Sequence, residues 1–170
     1  NLPFYKIGDA IYLAKIETKY WIEYICKRFE NTGKHISPEL AEEICRLVDN
    51  HSSYVQQLSW LLWIRTINTA TTEQLSYALE DLLDQNNILF QSETENLSAY
   101  QMNFLKAIVD GIHTKFSSKE VISKYNLGTS ANIVRLKNAL LQKELIETNG
   151  KEIVLADPVF GVWFKKEMLY

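Results

Sequence analysis

The residues that could carry out catalysis or hold a metal are few in this chain, and they are widely separated. The three histidines, His35, His51 and His113, do not pair with one another or with a cysteine at the spacing that zinc sites use. The sequence contains neither a Gly-x-Ser-x-Gly nucleophile turn nor a His-Glu-x-x-His pair. We therefore predict no catalytic residue and no metal site.

The groups that nucleotide hydrolysis needs are also missing from the sequence. None of the six glycines belongs to a Gly-x-x-x-x-Gly-Lys-Ser/Thr segment, so backbone amides and a lysine cannot form a phosphate-binding loop. No apolar strand ends in acidic residues that would hold magnesium. We expect this chain by itself neither to bind ATP tightly nor to hydrolyse it.

Carboxylates and thiols have structural interpretations. Asp81 and Asp84 fall on a predicted helix face that is open to solvent, where most such carboxylates lie. Cys26 and Cys45 stand among large apolar neighbours within helical patterns, where a free thiol behaves as a small apolar side chain. We predict buried structural thiols, with a disulfide or a reactive site as the alternative.

Composition and charge indicate a folded chain with two unlike halves. Apolar residues make up 46% of the sequence, which is ample for a packed core, and no apolar run could span a bilayer. We therefore predict a soluble, cytoplasmic protein with no membrane partner. Residues 1–95 carry 8 Lys/Arg against 14 Asp/Glu, whereas residues 96–170 carry 10 against 7. This change of sign favours two units that meet in the polar stretch 91–96.

The first half is predicted to be one strand followed by a helical bundle. Residues 11–16 alternate as a short strand does, and this strand has no obvious partner in the chain. Four helices follow, which begin near Thr18, Pro38, Ser52 and Thr72. The third, over residues 52–67, is apolar on more than one face and includes Ile64, which is typical of a central helix.

The second half has the pattern of a winged helix. Capping signals predict three helices, which begin after Ser98, after Ser117, and after Thr129 or Ser130. The pair Asn149-Gly150 between two apolar runs predicts a β-hairpin. Asp157-Pro158 then begins a last helix. Because a helix-turn-helix followed by a hairpin defines a winged helix, the fold class is predicted to be mainly α, a four-helix bundle followed by a winged-helix domain.

Three segments carry a resemblance that covers nearly the whole chain. They are residues 54–58 (Tyr-Val-Gln-Gln-Leu), 127–132 (Leu-Gly-Thr-Ser-Ala-Asn) and 157–160 (Asp-Pro-Val-Phe). With the order of elements, they resemble the C-terminal region of prokaryotic AAA+/STAND P-loop ATPases of the archaeal and Bacteroides type. In that family a nucleotide-binding core precedes a helical lid and a winged helix. The resemblance implies that residues 1–95 are the end of an ATPase core plus a lid-like bundle, and that residues 96–170 are the winged-helix domain.

The function implied by this resemblance is that of a non-catalytic C-terminal regulatory module, which couples nucleotide state to a protein or DNA partner. Its first partner would be the missing N-terminal ATPase core. ATP and magnesium are expected as cofactors of the full-length parent, with none in this chain. A first residue of Asn1 rather than Met agrees with a piece of a longer protein. In the lid, His51 is the residue that could face the nucleotide, and a capping or loop histidine is the alternative.

The alternative function is a winged-helix DNA-binding protein or transcription regulator. The candidate contacts with double-stranded DNA lie on the two helices of the helix-turn-helix and on the wing: Lys119, Ser130, Asn132, Arg135, Asn138, Gln142 and Lys151. These side chains can reach phosphates and base edges. Because Glu144, Glu147 and Glu152 lie beside them, the positive charge is modest, and docking on a protein surface is the favoured interpretation.

Overall fold

The structure, a computed structural model, describes residues 15–168 and shows a helical bundle followed by a winged helix. The elements are α1 (Thr18–Glu30), α2 (Pro38–Leu47), α3 (Ser52–Arg65), α4 (Thr72–Glu95), α5 (Ala99–Val109), α6 (Lys119–Tyr125), α7 (Ser130–Gln142), β1 (Ile146–Asn149), β2 (Glu152–Leu155) and α8 (Pro158–Met168). The predicted fold class is confirmed. The predicted strand 11–16 lies mostly outside the described residues, and Lys15 and Ile16 are not in a strand.

The ends of the first two helices are set by local capping. Gly33 has a φ of 73°, and its amide donates to the Glu30 carbonyl at 2.9 Å. The next amide, of Lys34, donates to the Phe29 carbonyl at 3.0 Å, which completes a Schellman motif. Ser37 then accepts a hydrogen bond from the third residue of α2, so the connection between the helices is short and fixed.

Helix α3 is the central helix of the bundle, as its apolar faces predict. It contacts α1, α2 and α4, and it buries Tyr54, Val55, Leu58, Leu61 and Leu62. It ends at Arg65, two residues before the predicted end, because Thr66 adopts an extended conformation. Ile64, one of the apolar residues that suggested several buried faces, is 52% exposed and lies outside the core.

Helix α4 is 24 residues long and links the two halves of the chain. Thr71 and Gln74 form the predicted capping box at its start. The polar stretch that was predicted to separate the two halves forms the last turns of α4. Phe90 and Thr94 are buried in this end of the helix. The predicted division at residue 95 therefore coincides with the end of a helix, but the core continues across it because α4 packs on α8.

The winged-helix half consists of α5, α6 and α7, the antiparallel β1–β2 hairpin, and α8. Two predicted boundaries are corrected by one residue. Ser118, not Ser117, caps α6, because its hydroxyl is the one that accepts from an amide of the first turn. In the hairpin, Asn149 pairs with Glu152, so the turn consists of Gly150 and Lys151, and Gly150 supplies the positive φ of 61°.

The two cysteines are free thiols. Cys45 is fully buried, as predicted, and burial raises its pKa to about 11. Cys26 is half-buried, and burial is also the main cause of its raised pKa. Because thiolates are the reactive form, both groups are expected to be unreactive at neutral pH.

None of the helices between residues 15 and 168 combines the length and apolarity that crossing a bilayer requires.

Replacing a tryptophan should destabilise the fold only where its ring is enclosed. Trp163 in α8 is 2% exposed, so we expect Trp163→Ala to lower the free energy of unfolding by about 3 to 5 kcal/mol. Trp60 in α3 is 57% exposed and provides a matched control, for which we expect a change of about 0.5 kcal/mol. Chemical denaturation of both variants measures the difference, and equal losses of stability would contradict the assignment.

Candidate functional site

The bundle and the winged helix meet at a junction formed by the start of α3, the end of α4 and the start of α8. The hydroxyl of Tyr54 donates to Asp157 Oδ2 at 2.5 Å. The other carboxylate oxygen, Asp157 Oδ1, accepts from the amides of Val159 and Phe160 at 2.8 and 3.0 Å. One carboxylate therefore caps α8 and binds the central helix of the bundle.

An aromatic cluster lies behind this hydrogen bond. Phe90, fully buried in α4, contacts Phe160 with ring centroids 5.4 Å apart and Trp163 with centroids 5.6 Å apart. The indole nitrogen of Trp163 donates to Asn87 Oδ1 of α4 at 2.8 Å. Close-packed aromatic contacts of this kind have specific geometry, so the junction fixes the relative position of α4 and α8.

The junction also brings ionisable groups close together. Burial, and then the hydrogen bond to Asp157, raises the pKa of Tyr54, so its hydroxyl remains a donor at neutral pH. Glu93 of α4 is half-buried beside this pair. Burial is the main cause of its raised pKa, and the charge of Asp157 adds to the shift. A second carboxylate near Asp157 therefore opposes the hydrogen-bonded arrangement when it is ionised.

His51 lies at the edge of the junction, at the N-cap position of α3. Its ring is tilted against that of Tyr54, with centroids 4.8 Å apart. The side chain makes no capping hydrogen bond, so His51 caps the helix by position only. Its Nδ1 is buried and has no hydrogen-bond partner among the described residues. The predicted nucleotide-facing role stays a prediction.

The exposed face of α7 displays most of the predicted nucleic-acid contacts. Ser130, Arg135, Asn138 and Gln142 are exposed on it. Asn132 differs from the prediction that it faces outward. It is half-buried; its Nδ2 donates to the Leu127 carbonyl at 2.9 Å, and its Oδ1 accepts from Arg135 Nη2 at 2.9 Å. Asn132 thus holds the turn before α7 and orients Arg135.

The remaining candidates are exposed on neighbouring elements. Lys119 is the first residue of α6, and Lys151 lies in the hairpin turn. Glu147 and Glu152 are exposed on the same hairpin, and the apolar side chain of Val134 is 62% exposed on α7. The face is therefore mixed in charge and partly apolar.

The contacts of the junction could not be predicted from the sequence. Tyr54 and Asp157 are 103 residues apart, and Asn87 is one of several polar residues in a long helix. No local pattern indicates that such residues meet. The start of α8 at Asp157-Pro158 was a capping signal, but the second role of its carboxylate became visible only in the fold.

Comparisons with known proteins agree with the winged-helix assignment. Residues 88–166 match the family described as a probable winged helix domain. This match begins within α4, before Phe90, and so includes the segment that packs on α8. A search of curated proteins finds no match.

The whole fold is similar to part of a solved structure, a Walker-type ATPase of Pyrococcus abyssi, with a TM-score of 0.66 and 18% sequence identity. The similarity covers 89% of this chain and 42% of that chain. The chain therefore spans less than half the length of that ATPase. At this identity, the similarity establishes a shared fold.

The pH dependence of stability tests the electrostatics of the junction. Because the folded state raises the pKa of Glu93, it binds this proton more tightly than the unfolded chain, and stability falls as the pH rises above about 4. Glu93→Gln removes the charge. We expect this variant to be more stable than the native chain near neutral pH, with the difference disappearing below about pH 4.

Urea unfolding of both proteins across this pH range measures the difference in free energy. Glu95→Gln, at an exposed position of the same helix, is the control for the loss of one surface charge. A Glu93→Gln effect that is independent of pH, or one that equals the effect of the control, would show that the environment of Glu93 is different from the one described.

Proposed function

We propose that this chain is a non-catalytic regulatory module of a P-loop ATPase of the AAA+/STAND type. In this proposal, the helical bundle acts as a lid on a nucleotide-binding core, and the winged helix presents a surface to a protein partner. The observation that carries the proposal is the junction between Tyr54 of the bundle and Asp157 of the winged helix. Through it, movement of one half is transmitted to the other.

The shared fold supports this proposal. A bundle and winged helix arranged as in this chain form part of a Walker-type ATPase. The sequence has no phosphate-binding loop, and in the described residues no three His, Cys, Asp or Glu side chains converge as a metal site. The groups present thus do not fit ATP and magnesium, and we propose that a separate core in the parent protein supplies that site.

The junction gives the proposed coupling a physical basis. Coupling between distant sites requires an element whose arrangement both sites influence. Here α4 and α8 are joined by a buried aromatic cluster, so displacement of the bundle should move the winged helix as a body. His51 is the residue proposed to respond to nucleotide, because it combines a free buried nitrogen with contact to Tyr54.

Hydrogen exchange in the full-length protein that contains this chain tests the proposal. We expect this protein to bind and hydrolyse ATP, and ATP to change the protection of amides at the starts of α3 and α8. Tyr54→Phe removes the hydroxyl that links these two segments, so the change in α8 should be lost while ATP binding is kept.

Two controls make the experiment specific. Tyr77→Phe removes an exposed hydroxyl of α4 whose one hydrogen bond among the described residues is to Glu73, and it should leave the ATP-dependent change intact. The chain of 170 residues alone should hydrolyse no ATP. A full-length protein that does not bind ATP, or turnover by the isolated chain after repeated purification, would overturn the proposal.

DNA binding is the second candidate function, and the exposed polar side chains of α7 favour it. Arg135, Asn138 and Gln142 lie on one accessible face, and Lys151 is accessible in the wing. In winged-helix complexes these positions face the major groove and the phosphates. Val134 and the two hairpin glutamates weigh against DNA binding, because DNA-binding surfaces are both polar and strongly positive.

Titration of fluorescent duplex DNA at about 50 mM and 200 mM salt separates these candidates. If the face binds DNA, binding should weaken steeply between these conditions, and Arg135→Ala and Lys151→Ala should each lower the salt dependence by about one phosphate contact. Lys166→Ala, at an exposed position of α8, is the control. Absence of binding at the lower salt would leave protein docking as the function of this surface.

A further inference from the structure

A cleft between α1 and α3 has the properties of a small-molecule site. It has a volume of about 460 Å³. Tyr24, Trp60 and Trp63 form its aromatic walls, the buried side chains of Ile25 and Phe29 line it from the core, and Arg28 stands at its edge. We propose that this cleft binds a small molecule with a flat apolar body and a single anionic group, such as an aromatic carboxylate.

Two aromatic side chains of the cleft are largely exposed to solvent. Trp60 is 57% exposed, and Tyr24, which faces it across the cleft, is 42% exposed. Tryptophan is highly buried on average, because its ring removes a large apolar area from water, so the exposure of Trp60 is unusual. A flat ring bound in the cleft would cover part of this exposed aromatic area.

The polar groups around the cleft are mostly paired already. The indole nitrogen of Trp63 donates to the Thr32 hydroxyl at 2.8 Å, and that hydroxyl donates to the Phe29 carbonyl at 2.8 Å. Lys34 lies over the Trp63 ring and donates to the Trp63 carbonyl at 2.7 Å. These bonds hold Trp63 in position, and Lys34 itself does not belong to the lining of the cleft.

Other polar groups of the lining differ in accessibility. Ser59 Oγ has no hydrogen-bond partner among the described residues, but its surface is covered, so it is not a contact for a ligand. Gln56 is exposed, and its Nε2 donates to the Ser52 carbonyl at 3.2 Å. Arg28 is exposed and forms no ion pair in the described part of the chain, and its guanidinium lies 5.1 Å from the centre of the Tyr24 ring.

The sign of the ligand charge follows from the lining residues. Arg28 is the one charged residue among them, and α3 contains no acidic residue. A planar guanidinium beside an aromatic ring binds carboxylates in a bidentate manner. The volume is within the range of small-molecule pockets and is large enough to hold a two-ring body.

Isothermal titration of this chain with three naphthalene derivatives tests the proposal. Naphthalene-2-carboxylate, 2-naphthylmethanol and 2-naphthylmethylammonium share the apolar body and differ in charge. We expect one molecule of the carboxylate to bind per chain. The alcohol should bind more weakly, and the ammonium should bind most weakly of the three. Arg28→Gln should weaken carboxylate binding roughly tenfold, as expected for the loss of one charge-assisted contact, and leave alcohol binding unchanged.

Variants at other positions assign the binding to this cleft. Trp60→Ala should weaken all three ligands, and its exposed position means that the fold is kept, which thermal melting verifies. Lys27→Gln, the exposed neighbour of Arg28 outside the lining, should change nothing. A Lys165→Gln/Lys166→Gln double variant tests the second apolar hollow, between β2 and α8.

Each of three outcomes of the naphthalene titrations would overturn the inference. They are equal affinities for the carboxylate and the alcohol, carboxylate binding that is not weakened in Trp60→Ala, and loss of binding in the Lys165/Lys166 variant instead of Arg28→Gln. Binding of an acidic amphipathic peptide, with no binding of the naphthalene carboxylate, would also overturn it and assign the cleft to a protein partner.

Discussion

The arrangement of the two halves depends on the carboxylate of Asp157. One oxygen accepts hydrogen bonds from two backbone amides at the start of α8. The other accepts a hydrogen bond from the hydroxyl of Tyr54, in the central helix of the bundle. A helix start has free amide donors that need acceptors, so the carboxylate would be required even without the bundle. Its second hydrogen bond makes the start of α8 a fixed point shared by both halves.

The aromatic cluster fixes the orientation of α8 relative to α4. Phe90 belongs to α4, and Phe160 and Trp163 belong to α8, so the core of the winged helix includes the end of the long helix from the bundle. Because such a core cannot deform continuously, rotation between the halves would require separating these rings from one another. A module of this kind is suited to moving as a unit, and this property underlies the proposed regulatory role.

Much of the fold could be predicted from the sequence, because its signals are local. The capping boxes at Thr71 and Ser98 and the left-handed Gly33 depend on residues within one helical turn of each other. Errors of one residue arose where neighbouring residues offered the same signal, as at Ser117 and Ser118. In the hairpin, the register of the cross-strand pairs placed the turn at Gly150-Lys151, which the Asn-Gly signal alone did not determine.

The candidate site was less predictable, because its contacts join distant segments. Asn132 has the residue type and spacing of a base-contacting side chain, yet its amide satisfies the Leu127 carbonyl in the preceding turn. Whether Asn132 contacts a base or bonds to the turn depends on which backbone groups of the turn lack a partner. Helical periodicity does not indicate which groups these are. The same limit applies to Tyr54, whose partner comes 103 residues later.

The four tryptophans show how the same residue type serves two purposes in one chain. Trp163 is buried at the junction, where its ring packs against Phe90 and its indole nitrogen donates a hydrogen bond to Asn87. Trp60 has the same side chain, but it lies at the open cleft between α1 and α3, where 57% of it is exposed. Enclosed aromatic area contributes to stability, whereas exposed area of this size is available for binding. The proposed binding surface of the bundle therefore uses residues of α1 and α3 and none of the exposed residues of α7.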